Sequence, residues 1–243
     1  MNREIHQWWS PRLNKNMEIV AYGHYGFALL MLPTAAADYL EYERFYLIDK
    51  LAPFIESGKI KVYSVNSINS ESWLNRHMLP HHKAIRHNQF NHYIFDEVVP
   101  FIYNHCGTTN VPIITTGASL GAFHAMNLFL HRPDLFYGTI AMSGVYDLTV
   151  YSDGFMNEDV YFNSPVHYMP NLHDHHTLEL LRRSHIHIVT GSGAYEAPEA
   201  SRKMSEILWS KSVPNELDIW GPDMRHDWPT WRAMLPYFID TRF

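Results

Sequence analysis

Ser119 stands in Gly117-Ala118-Ser119-Leu120-Gly121, between the apolar run Val111 to Thr115 and a stretch of small and apolar residues from Leu120 to Leu130. A G-x-S-x-G pentapeptide at the junction of a strand and a helix holds a serine hydroxyl on a tight, strained turn, where it is exposed for nucleophilic attack. Gly117 and Gly121 omit the Cβ atoms that would collide with neighbouring backbone. The same turn leaves the Leu120 N–H at a helix N-terminus, where it can donate to a negatively charged oxygen with help from the helix dipole. The pentapeptide is short and recurs by chance, so the strand before it and the helix after it carry the reading.

A hydroxyl is a weak nucleophile near neutral pH and needs a base within hydrogen-bond reach, usually a histidine held by a carboxylate. In serine enzymes built on this elbow the chain order is serine, acid, histidine. The chain has 17 histidines, so position must select one. His226 falls in Gly221-Pro222-Asp223-Met224-Arg225-His226-Asp227-Trp228, after the last expected strand and before the last expected helix. The acid is expected in the preceding strand-to-helix loop, Gly191 to Glu199, which offers Glu196 ahead of Pro198 and Glu199 in the first turn of the helix. Glu196 is preferred, because a carboxylate at the position of Glu199 has the ordinary task of offsetting the dipole. Asp227 adjoins the base too closely to turn back on it and reads as a helix cap. The loop Leu32-Pro33-Thr34-Ala35-Ala36-Ala37-Asp38 is expected to supply a second oxyanion donor, the N–H of Ala35, with Thr34 as the alternative.

Positioning these groups requires a sheet. Runs with strand character recur at Met17 to Tyr22, Ala28 to Leu32, Ile60 to Val65, Val111 to Thr115, Thr139 to Ser143, Ile186 to Thr190 and Glu216 to Trp220. Between them, Tyr39 to Glu56, Asn91 to Asn104, Leu120 to Leu130, Pro198 to Ser210 and Trp228 to Ile239 carry apolar residues at spacings of three and four. Alternation of strand and helix predicts an α/β protein with a mostly parallel sheet covered on both faces. Only Gly23-His24-Tyr25-Gly26 separates the first two runs, so those two are expected to pair antiparallel as a hairpin at the sheet edge. The whole chain, 1–243, reads as one domain. Residues 147–177 break the alternation with Tyr, Asn, Pro and Asp and are expected to form a loop-rich cover over the site.

The bulk properties narrow the partners. With 243 residues and 46% hydrophobic content the chain can bury a substantial core. Its formal net charge is −6, and Lys and Arg form no basic stripe, which argues against nucleic acid. No apolar run reaches the length of a membrane span, and the N-terminus does not read as a signal peptide, so no membrane partner and a cytoplasmic location are expected. Cys106, the single cysteine, admits no intramolecular disulfide. His81-His82 and His173-Asp174-His175-His176 have metal-ligand chemistry but are adjacent rather than convergent; no metal is expected. No phosphate-binding glycine motif is present, so no cofactor is expected. Trp73, Tyr146, Tyr161 and Tyr168 are candidates to line a substrate pocket.

Taken with its flanking motifs, the chain resembles the putative-esterase family of α/β-hydrolases, which includes esterase D, S-formylglutathione hydrolases, feruloyl esterases and mycolyltransferases. The matching segments span nearly the whole chain: Trp8-Trp9-Ser10-Pro11, Tyr22-Gly23-His24, Pro33-Thr34, Asn69 to Trp73, Phe95 to Pro100, Gly117 to Ala122, Ser143 to Asp147, Gly193 to Glu196 and His226-Asp227-Trp228-Pro229-Thr230-Trp231. The resemblance implies a three-layer α/β-hydrolase sandwich. It also implies a serine esterase acting through an acyl-enzyme on a small-molecule ester, with short or aromatic acyl groups favoured by the polar, tyrosine-rich 147–177 segment. Family mycolyltransferases use a glutamate in a position resembling Glu196. Thr34-Ala35-Ala36-Ala37 departs from the glycine-rich loops of many relatives. An acyltransferase with the same triad and a non-catalytic binding module on the same fold are the alternatives, and a homo-oligomer remains open.

Overall fold

The computed structural model describes residues 1–35 and 37–243. Eight strands form one sheet: β1 (Arg3–Ser10), β2 (Lys15–Tyr22), β3 (Phe27–Leu32), β4 (Ile60–Val65), β5 (Ile113–Ala118), β6 (Gly138–Met142), β7 (His185–Thr190) and β8 (Glu216–Ile219), in the order β1-β2-β4-β3-β5-β6-β7-β8. Helices α1 (Glu41–Arg44), α2 (Leu47–Glu56), α3 (Pro80–Tyr93), α4 (Val99–Cys106), α5 (Leu120–His131), α6 (Glu158–Asn163), α7 (Pro165–Tyr168), α8 (His175–Arg182), α9 (Pro198–Ser210) and α10 (Trp228–Arg242) connect and cover them.

Period-two alternation divides the apolar residues of β3 between two cores. Ala28, Leu30 and Leu32 join the core under α3, α4, α5 and α9. Leu29 and Met31 join the core under α2 and α10. The three-layer arrangement follows, because β3 is apolar on both faces and must be covered on both.

An antiparallel hairpin stands at the N-terminal edge, as expected, but its strands differ from those expected. β2 pairs with β1, from Arg3 opposite Tyr22 to Ser10 opposite Lys15. Its other neighbour is β4, whereas β3 lies inside the sheet, parallel to both β4 and β5. β2 and β3 do run in opposite directions, but β4 comes between them. The polar sequence of β1 concealed it: an edge strand alternates exposed with half-buried residues and needs few apolar ones.

Two helical expectations also change. Tyr39 to Glu56 breaks into α1 and α2 at Tyr46, whose φ of 60° is left-handed. The expected Asn91 to Asn104 helix starts earlier, at Pro80, and runs through a wide turn at Ile94–Val98 into α4. Glu97 in that turn accepts hydrogen bonds from Trp8 Nε1 and Ser10 Oγ, both at 2.8 Å, and so ties the edge hairpin down. Among the described residues, no helix is long and apolar enough to cross a membrane.

Candidate active site

Ser119 follows the last residue of β5, near the middle of the sheet, and caps α5 with φ 57° and ψ −123°. Such a backbone costs about 1–3 kcal/mol for a residue with a side chain, and the packing around it explains how it is held. The Ser119 N–H donates to Met142 O at 2.9 Å. A Cβ at Gly117 would lie 2.4 Å from the backbone of Gly121, and one at Gly121 would lie 2.3 Å from Leu32 O. Both glycines are therefore required by close backbone approach, and the second brings the end of β3 against the elbow. Leu120 is the first residue of α5, where backbone N–H groups have no intrahelical acceptor.

The loops after β7 and β8 are zipped together beside the elbow. Gly193 N–H donates to Met224 O at 2.9 Å, and His226 N–H donates to Ala194 O at 3.0 Å. Cβ atoms at Gly191 and Gly193 would stand 2.1 and 2.5 Å from Met224 O, so only glycine permits this approach. It places His226 Nε2 3.0 Å from Ser119 Oγ and His226 Nδ1 3.3 Å from Glu196 Oε2. The carboxylate accepts from Nδ1–H, which leaves the Nε2 lone pair facing the serine.

Glu196 has 1% of its side chain exposed, against 25% for His226. Burial alone would raise the Glu196 pKa, but hydrogen bonds from His226, from Ser143 Oγ (2.6 Å) and from Thr190 Oγ1 (3.0 Å) outweigh it and hold the carboxyl below its ordinary value. Glu199, the alternative acid, is 84% exposed and paired with Arg202 on the helix surface. Asp227 caps α10 through the Trp228 N–H at 2.7 Å.

Thr34 and Ala35 separate by what their N–H groups already do. The Thr34 N–H donates to Glu41 Oε2 at 2.9 Å, and its hydroxyl donates to the other oxygen of the same carboxylate. Among the described residues the Ala35 N–H has no acceptor. Ala36 lies outside the described residues. Asn69 Nδ2 donates to Thr34 O at 2.9 Å, and Tyr42 OH donates to Leu32 O at 2.5 Å. The loop is thus clamped from three sides.

Sequence reasoning missed three of these supports. Glu41 is 5% exposed, and burial raises its pKa despite the Thr34 hydrogen bonds. Ser143, just past the end of β6 with φ 51°, bridges Glu196 and the indole N–H of Trp231. The Trp231 ring meets His226 edge-on, 5.2 Å between centroids. Ser143 had a usable signal, its place at the carboxyl end of the strand beside the elbow. Glu41 had none, since its partners, the N–H and hydroxyl of Thr34, belong to a loop whose path the sequence does not reveal.

Other expectations fare differently. Trp73, Tyr146 and Tyr168 are 1%, 1% and 8% exposed and belong to the packed cores; Trp73 borders a surface cavity with Leu74, Lys83 and Tyr151, and Tyr146 one with Asp147, Val166 and His167, and the lining of neither includes Ser119 or His226. Tyr161 is half-buried, its hydroxyl accepting from Asn171. His81 is half-buried, His82, His173, His175 and His176 are exposed on the surface, and Asp174 caps α8.

The family model described as "Putative esterase" matches residues 41–238. Comparison with curated proteins finds no match. Among solved structures, a ferulic acid esterase superposes with a TM-score of 0.74 at 16% identity, covering 98% of both chains. The S-formylglutathione hydrolase FrmB of Staphylococcus aureus gives 0.70 at 16% identity, covering 98% of this chain and 97% of that one. FphF, a fluorophosphonate-binding serine hydrolase of the same organism, gives 0.74 at 15%, with 98% and 97% covered. At these identities the likeness establishes the shared fold.

Proposed function

This chain belongs to the family described as "Putative esterase", and on that footing we propose that it hydrolyses carboxylic esters through an acyl-Ser119 intermediate. The observation that carries the reading is the line of contacts from Ser119 Oγ to His226 Nε2 (3.0 Å) and from His226 Nδ1 to the buried Glu196 carboxylate (3.3 Å).

Ser119 Oγ attacks the ester carbonyl carbon while its proton passes to His226 Nε2. The imidazolium formed is stabilised by Glu196, and the carbonyl oxygen, now an anion, accepts from the N–H groups of Leu120 and Ala35. Collapse breaks the bond to the leaving alcohol, which takes the proton from His226. Water then attacks the acyl-enzyme with His226 as base, releasing the acid and restoring Ser119. Preorganised donors of this kind are worth about 3–4 kcal/mol each in the transition state, which gives the clamped Thr34–Ala35 loop a function.

Residues 147–177 are read as a cover over this site. Leu148 and Val160 from that segment pack with Leu120 and Trp73, which brings it against the elbow side of α5. The substrate class is then an ester of a short or aromatic acid, in a bounded pocket rather than a lipid-binding channel. A p-nitrophenyl ester series tests this: kcat/KM is expected to peak from acetate to butyrate, and rates still climbing at twelve carbons would overturn the size assignment.

A further inference from the structure

We propose that Glu4, His6 and His105 form a binding site for one divalent transition cation of the zinc class, on the sheet edge remote from Ser119. Glu4 and His6 are two apart on β1 and so share a face of that strand; His105 comes from the end of α4, 101 residues beyond Glu4. One ligand atom from each of the three side chains lies within 4.8 Å of the other two.

The separations fit an ion. Bonds of about 2.0–2.1 Å in a tetrahedral arrangement put neighbouring ligand atoms about 3.3–3.4 Å apart. Glu4 Oε2 is 3.3 Å from His105 Nε2 and 3.5 Å from His6 Nε2. A second observation is independent of these distances: His6 Nε2 is buried and has no hydrogen-bond partner, although the Glu4 carboxylate is at hand. Leaving a buried ring nitrogen unpaired carries a penalty that a ligated cation would remove.

The surroundings orient the ligands. His105 Nδ1 is 3.0 Å from Tyr63 OH, which also lies 3.1 Å from Cys106 Sγ. With Nδ1–H donating to Tyr63 and Tyr63 donating onward to the sulfur, the Nε2 lone pair of His105 is turned toward Glu4 and His6. Phe101 stacks on the His105 ring and meets His6 edge-on, fixing both planes. Asn2 Nδ2 engages Glu4 Oε1, leaving Oε2 as the ligand. Two imidazole nitrogens and one carboxylate oxygen suit Zn²⁺ and its neighbours and disfavour Mg²⁺ or Ca²⁺. Three protein ligands leave a coordination position for water.

The site lies on the edge strand β1, with β2, β4 and β3 between it and β5, whose last residue precedes Ser119. Lys61, near the start of β4, donates to His105 O. A bound ion would pin the edge strand to α4 and leave the ester chemistry alone. Sequence spacing, which points to no metal, cannot reveal ligands brought together by the packing of a strand against a helix.

The test is titration of chelator-stripped protein with Co²⁺, read by its visible absorption, followed by displacement with Zn²⁺. One equivalent is expected to bind, and Zn²⁺ at about 100-fold above its Kd is expected to raise Tm by about 5 °C. His6→Ala and Glu4→Gln, at half-exposed positions where folding should survive, are expected to weaken binding at least tenfold. A double His175→Asn, His176→Asn variant, which removes surface histidines, is expected to bind as wild type, and ester turnover to be the same with and without metal. Failure of wild type to bind one equivalent would overturn the proposal, as would wild-type affinity in His6→Ala and Glu4→Gln or loss of binding in the surface double variant.

Discussion

Trp231 donates its indole N–H to Ser143 Oγ at 3.0 Å, and Ser143 in turn donates to Glu196 at 2.6 Å. α10 therefore holds the acid as well as packing beside the base, and the closing helix is coupled to the site through one hydroxyl.

Ser143→Ala removes that link and leaves the buried Trp231 N–H and one carboxylate oxygen without their partner. A stability loss of about 1–3 kcal/mol is expected, the cost of orphaned buried polar groups, read by urea denaturation. Ester kcat is expected to fall while KM changes little, because Ser143 acts on Glu196 and does not touch substrate. A Ser143→Thr variant that restores most of kcat would show that the hydroxyl, not the volume, matters.

Glu196→Gln is expected to lower kcat by about 10²–10⁴-fold, less than Ser119→Ala, since an amide cannot stabilise the imidazolium. Glu199→Gln is expected to stay within about twofold of wild type, as befits an exposed partner of Arg202. The same pair has a pH signature. The folded-state pKa of Glu196 is below its ordinary value of 4.5, so its stabilising contribution is present above that value and lost as pH falls through the folded one. The stability gap between wild type and Glu196→Gln should narrow on acidification below the ordinary carboxylate range; a gap that widened would contradict the hydrogen-bonded assignment.

Local punctuation made much of this site readable from sequence. Ser119 is marked by its two glycines, and His226 and Glu196 by their place in the last two strand-to-helix loops, information that topology carries without knowledge of contacts. Pairing partners were not readable. That β4 lies between β2 and β3, and that polar β1 completes the edge hairpin, depends on register and direction across tens of residues. Glu41 and Ser143 escaped for the same reason: each acts through a neighbour supplied by another element. Of the four aromatic side chains named as pocket candidates, Trp73, Tyr146 and Tyr168 are packed into the cores with little exposed surface, because composition alone does not tell which way a ring points.

Glu41→Ala frees the Thr34 end of the loop and is expected to lower kcat at least tenfold with a smaller effect on KM, whereas Glu41→Gln, which keeps one acceptor, should lose less. Burial raises the Glu41 pKa, so its contribution to stability is full below the unfolded pKa and is lost as pH rises through the folded one. Wild type should accordingly gain stability relative to Glu41→Gln as pH falls through that interval. Thermal unfolding at a series of pH values checks the sign.

The most direct measurement is the mass of the intact protein and of its Ser119 peptide after treatment with a fluorophosphonate. One adduct per chain on Ser119 is expected, labelled rapidly in wild type, far more slowly in His226→Ala and not at all in Ser119→Ala. An unlabelled wild type, or an adduct on any residue other than Ser119, would contradict the account.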